Sequence, residues 1–227
     1  MKSSSFKYII LLFSVLIKSD WNSGIAMPIQ SNDSTHSIIL QDIQPQYIVG
    51  SFTGKGTMDT LCFRYFSDVD EIEIKRIPTM ENDWDSIIEW FNQTHQIHSY
   101  IVCDCDTLFF ESAYDLFCFS NIGDVNYDGV DEFVLVVNWL DYSQINSCRI
   151  YSICNRKFSL LKVFNIHESA FSQEDTLNTS FVGIKGFLEK ENDVWRFHDY
   201  YDDISGIHER GESIILQLEK CNSNHSK

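Results

Sequence analysis

The chain has 227 residues, 44% hydrophobic and 14% aromatic, enough for one medium domain with a proper core or at most two small ones. Its 17 Lys and Arg stand against 33 Asp and Glu, a net charge of −16. Such a surface repels phosphate backbones and anionic lipid and attracts cations, which argues against nucleic acid as a partner; the alternative reading of the acidity is solubility alone.

The N-terminus reads MKSSSFKYIILLFSVLIKSD. Lys2 and Lys7 lead into Tyr8–Ile17, an apolar stretch of signal-peptide length that is too short to span a bilayer comfortably. Gly24 and Ala26 supply small residues at −3 and −1 of a cut after Ala26. The expectation is an export signal over 1–26, giving a periplasmic or extracellular mature chain without a membrane span. An uncleaved anchor is the alternative. A polar linker follows over 27–39, then a mainly-β domain over 40–220 and a flexible tail over 221–227.

Within that domain short β-like runs alternate with turn residues. The clearest are Tyr47–Gly50, Met58–Phe66, Glu71–Ile77, Ser99–Asp104, Thr107–Phe110, Phe133–Val137, Cys148–Cys154, Phe158–Phe164, Val182–Glu189, Val194–His198 and Ser213–Leu218. Asn155-Arg156-Lys157 and Glu191-Asn192-Asp193 predict two hairpins. Asp83 predicts the cap of one helix, with Trp84, Ile87, Ile88 and Phe91 on a shared face. Seven Cys are present, with no zinc spacing such as C-x-x-C. Most sit beside apolar residues, as buried small hydrophobes do, and export would permit disulfides whose pairing stays open. Cys103 and Cys105, read as lying in a strand, would share one face and bond each other poorly.

The stretch Gly123–Val137 reads GDVNYDGVDEFVLVV. A hard cation such as Ca²⁺ takes about 6–8 oxygen ligands, which a short loop supplies when alternate side chains point inward and a Gly permits a sharp turn. Asp124, Asn126 and Asp128 alternate, Gly129 follows, Val130 offers its carbonyl and Glu132 closes the loop with a carboxylate. An EF-hand would need a bidentate Glu where Leu135 stands, and a helix where an apolar strand begins. Three carboxylates in one tight loop repel one another unless a cation lies between them, and no basic residue occurs between Asn121 and Gln144. The competing reading is a solvated turn, since Asp, Asn and Gly favour turns regardless of metal.

The stretch 50–59, GSFTGKGTMD, overlays 123–132 at an offset of 73 residues, Gly50 on Gly123, Gly56 on Gly129 and Asp59 on Glu132. Ser51, Thr53 and Lys55 take the places of the acidic and amide ligands, so no metal is expected there; the Lys55 ammonium would stand in for the ion beside Asp59.

The intact loop resembles the calcium loop of FG-GAP and VCBS-type repeats, which read D-x-N/D-x-D-G-x-x-D/E and run directly into a β-strand. Taken with IVGSFTGKGTMDTL, the order is similar to that of a group of secreted bacterial proteins with one degenerate and one intact copy. The resemblance implies antiparallel, propeller-blade-like sheets, a structural Ca²⁺ on Asp124, Asn126, Asp128, Val130 and Glu132, and a binding role toward protein or glycan. The Phe-Gly and Gly-Ala-Pro elements of the family are absent, and the length left for the domain completes about four blades at most, so a complete seven-bladed propeller is not expected.

No catalytic residue is assigned. His95 and His98 lack the spacing and the Glu of a zinc protease. His198 and His208 flank Asp199, Asp202 and Asp203, which carry the alternative reading, an extracytoplasmic hydrolase using acidic loop carboxylates. Trp139, Asp141 and Tyr142 follow the strand after the loop and are the candidate contacts for a partner.

Overall fold

A computed structural model describes residues 37–54, 56, 58–171, 183–202 and 208–221 of the 227. The predicted export signal, most of the linker, Lys55, Asp203 and residues 222–227 of the predicted tail lie outside the described residues. Among those described, no helix is long and apolar enough to cross a membrane.

The protein is mainly β; the described residues form antiparallel sheets with one short α-helix and no closed barrel. The first large sheet joins β2 (Gln46–Gly50), β3 (Asp59–Ser67), β6 (Ile97–Val102) and β7 (Thr107–Phe110), with β4 (Ile72–Glu73) added to β3. The second joins β8 (Ala113–Gly123), β9 (Glu132–Trp139), β10 (Ile145–Cys154) and β11 (Lys157–His167). The third joins β12 (Gly183–Ile184), β13 (Leu188–Glu191), β14 (Val194–Phe197) and β17 (Ile214–Ile215). Two small ribbons pair β1 (Leu40–Asp42) with β5 (Arg76–Pro78), and β15 (Tyr200–Asp202) with β16 (His208–Arg210). The second sheet runs through consecutive strands, as a propeller blade does, whereas in the first β3 pairs β6 across the intervening residues 68–96.

The second sheet lies at the centre. Strand β9 is buried from Glu132 through Val137, and its side chains alternate between two cores. Phe133, Leu135 and Val137 pack with Leu61, Phe63, Tyr65 and Ile101 of the first sheet, whereas Val134 and Val136 pack with Leu188, Trp195 and Phe197 of the third. An apolar run buried on both faces is what FVLVV predicted without alternation of its own.

Local signals placed several elements. Asp83 accepts from the Ser86 amide at 2.9 Å and caps the helix α1 (Trp84–Glu89), which continues as a π-helical turn, Trp90–Thr94. Asn155 and Arg156 have φ of 53° and 65°, and Asn192 and Asp193 of 49° and 64°. Both pairs form two-residue hairpins of the left-handed kind that match strand twist.

Three strand readings change. The run 71–77 is not one strand, because β4 and β5 belong to different sheets. Of the run 182–189, the described residues 183–189 form a hairpin, with residues 185–187 in a turn between β12 and β13. Strand β6 ends at Val102, so Cys103 and Cys105 lie in a hairpin turn, not in a strand. Strand β8, eleven residues long, is absent from the sequence reading. Its alternation of Leu116, Cys118, Ser120 and Ile122 against Phe117, Phe119 and Asn121 was the available signal, and polar residues mixed into both faces masked it.

Candidate metal centre

The loop Asp124–Asp131 connects β8 to β9 and is closed where Gly123 pairs with Glu132. Its turn uses Tyr127 at φ 59° and Gly129 at φ 89°, a region that Gly enters without strain. Each of Asp124, Asp128 and Glu132 offers a carboxylate oxygen, and these oxygens lie within 4.8 Å of one another. Among the described residues no other group of three acidic, His or Cys side chains converges in this way.

Every loop acid is also held by backbone amides. Asp124 accepts from the amides of Asp128 and Gly129, both at 3.0 Å, and Asp128 Oδ1 accepts from Val130 at 3.1 Å. Glu132 Oε2 accepts from Val125 at 2.8 Å and from Asn126 at 3.4 Å; Oε1 accepts from the Asn126 side-chain amide at 3.1 Å. Asn126 is buried, and its Oδ1 accepts from the Asp128 amide at 3.0 Å. The five predicted ligand residues thus occupy one loop. Three of them converge as carboxylates, Asn126 braces Glu132, and Val130 sets its side chain toward Gly54. Each carboxylate retains acceptor capacity beyond these bonds, so the donor set fits a hard cation.

Glu132 is fully buried. Burial is the largest cause that pushes its carboxyl up to about 7. The Val125 amide opposes the rise, Asp128 adds to it, the Asn126 amide opposes it and Asp124 adds again. Between the ordinary value of 4.5 and about 7, the folded chain holds a proton that the unfolded chain has lost. Stability of the metal-free protein therefore falls as pH rises through that window. Urea titrations in chelator at pH 5 and pH 8 should show this fall in the wild type and much less of it in Glu132→Gln. A cation that binds the ionised carboxylate would remove the wild-type fall, and saturating Ca²⁺ is the probe.

The C-terminal segment closes the loop from 93 residues away. Asn126 Nδ2 donates to the Glu219 carbonyl at 2.9 Å, Lys220 Nζ to the Tyr127 carbonyl at 3.0 Å, and the Cys221 amide to Asp128 Oδ2 at 2.8 Å. A Cys154–Cys221 disulfide pins this segment to the end of β10, although Cys221 stood first in the predicted tail. Lys220 is the basic residue that the local stretch lacked, and it bonds a carbonyl, not a carboxylate.

The degenerate loop lies against the intact one. Gly50 pairs with Asp59 as Gly123 pairs with Glu132, and the Thr53 amide donates to Asp59 Oδ2 at 2.8 Å as the Asn126 amide does to Glu132. Asp131, not among the predicted ligands, clamps the two loops. Its Oδ2 accepts from the Ser51 amide and from Asn121 Nδ2, each at 2.9 Å, while its amide donates to the Ser51 carbonyl at 3.0 Å. Asn121 also donates to the Val49 carbonyl at 3.1 Å. A Cβ on Gly50 would lie 2.3 Å from Asn121 Nδ2 and 2.8 Å from Asp131 Oδ2. Gly50→Ala should therefore lower stability by about 2–3 kcal/mol, read from urea denaturation. A loss within about 0.5 kcal/mol would show that the clamp is slack.

The other candidate groups are dispersed. His95 Nδ1 lies 2.6 Å from Asp70 and His98 Nδ1 3.3 Å from Asp68, so the two imidazoles have separate carboxylate partners. The hydrogen bond from His95, helped by one from Ser67, holds the Asp70 carboxyl below its ordinary value. His198 Nδ1 lies 2.9 Å from the Gly211 carbonyl, and Asp199 accepts from the Asn165 amide at 2.7 Å. Trp139 and Asp141 line one open groove with Phe109, Phe110 and Arg149, whose guanidinium sits 5.3 Å from the Trp139 ring centre. Tyr142 is exposed, and its hydroxyl bonds Asp85 at the start of α1.

Comparison with protein-family models, with curated proteins and with solved structures gives no match for this chain.

Proposed function

We propose that the chain is an exported β domain of the FG-GAP/VCBS type, stabilised by one structural Ca²⁺ and acting as a binding module for a protein or a glycan. The observation that carries this reading is the convergence of Asp124, Asp128 and Glu132 oxygens in a loop that the C-terminal segment and Ser51 both contact. Asp124, Asn126, Asp128, the Val130 carbonyl and Glu132 would hold the ion, which would neutralise the loop acids and fix the entry of β9. A structural role is supported by the partners of Asp124, Asp128 and Glu132, which among the described residues are backbone amides and the Asn126 side-chain amide, with no His or nucleophile bonded to them. The groove with Trp139 and Asp141 is the proposed partner surface, with Tyr142 at its margin. It combines aromatic faces with a few polar groups, as binding sites do.

A bound ion at 100 times its Kd stabilises the fold by about 2.7 kcal/mol. Chelation should therefore lower Tm by several degrees, and added Ca²⁺ should restore it. Differential scanning fluorimetry should show this response lost in Asp128→Ala and kept in Asp59→Ala. A response that Asp128→Ala leaves intact would place the ion elsewhere.

A further inference from the structure

The geometry points to a second, soft-cation site: the thiols of Cys103 and Cys105, with the Met58 thioether, take one monovalent copper ion. The site uses none of the residues of the oxygen-lined loop, so its failure would leave that reading untouched.

The β6–β7 hairpin turns within residues 103–106, closed by a bond from the Cys103 amide to the Asp106 carbonyl at 3.1 Å. The turn places both cysteines on one hollow. The Cys105 amide donates to Cys103 Sγ at 3.3 Å, and the Cys103 thiol lies 3.6 Å from the Asp106 carbonyl. Both are free and half-buried. They open on a hollow of about 400 Å³ that Met58, Asp59 and Arg156 also line. Met58 is largely exposed and so free to move. Cys118 and Cys148 are buried and serve as small apolar side chains, whereas Cys103 and Cys105 pack at the edge of the first core and also line the hollow.

The donor set selects the ion. Zinc asks for four ligands, and no third acidic, His or Cys group converges on these thiols among the described residues. Thiolate and thioether sulfurs are soft and select Cu(I), an ion satisfied by two or three ligands. On binding, two thiolate S–Cu bonds and one thioether S–Cu bond form, two S–H bonds break and two protons leave to solvent, with no change of oxidation state. The product carries one negative charge, and the hollow is lined by Arg156 as well as by Asp59 and Asp104. The Cys103 sulfur already accepts an N–H bond, which stabilises charge on it.

The test is anaerobic competition for Cu(I) between the disulfide-intact full chain and the chromophoric chelator bicinchoninate, with ascorbate as reductant. One equivalent should leave the chelator with release of two protons. That equivalent should be lost in Cys103→Ser and Cys105→Ser, weakened about tenfold or more in Met58→Leu, and kept in Cys62→Ser. Circular dichroism checks that each variant is folded. X-ray absorption at the copper edge on the wild type, which needs no variant, should show only sulfur neighbours. The proposal is overturned if the chain withdraws no copper, if copper has nitrogen or oxygen neighbours, or if native thiol titration finds Cys103 and Cys105 already joined.

Discussion

Replacing Cys154 and Cys221 together by Ser is expected to cost the domain about 4 kcal/mol, the chain-entropy value for a cross-link across 67 residues. The bond closes a long stretch that carries β11 and the whole third sheet, so its loss frees the unfolded chain considerably. The same change releases Glu219, Lys220 and Cys221 from Asn126, Tyr127 and Asp128. Calcium affinity should therefore fall together with stability. Urea denaturation and a Ca²⁺ titration of the double variant check both parts. A loss under about 1 kcal/mol with unchanged affinity would show that the segment holds its place without the disulfide.

Glu132→Ala should cost about 3 kcal/mol even with no metal present. The change strands the amides of Val125 and Asn126 and the Asn126 side chain, all of which donate to this carboxylate, and it opens space beneath β9. Glu132→Gln keeps an acceptor oxygen and the volume, and should cost less. Equal losses for the two variants would mean that the carboxylate is not what organises the loop. Either substitution should abolish Ca²⁺-dependent stabilisation.

The legible parts of the fold were those coded locally. Asp83 announced its helix, Asn155-Arg156 and Asn192-Asp193 announced hairpins, and Thr107–Phe110 appeared with its observed bounds. The alternation through Asp124, Asn126 and Asp128 before Gly129 located the acidic cluster, because its ligand types are adjacent in sequence. The missing parts depend on distance along the chain. Nothing near Asp128 signals that Cys221 will donate to it from 93 residues away, or that Asp131 will clamp Ser51 across 80. Strand β8 was hidden because its lesser face carries Asp115, Phe117, Phe119 and Asn121 in mixed polarity. The Cys103–Cys105 pair was misread because an apolar neighbour, Val102, extends the strand pattern up to the turn that ends it.

Isothermal titration calorimetry of Ca²⁺ into the metal-free, disulfide-intact chain tests the central claim most directly. The account predicts one site, saturable at or below millimolar Ca²⁺, absent in Asp128→Ala and present in Asp59→Ala. No heat of binding at millimolar Ca²⁺ would make Asp124, Asp128 and Glu132 a solvated turn held by backbone amides, and would contradict the account.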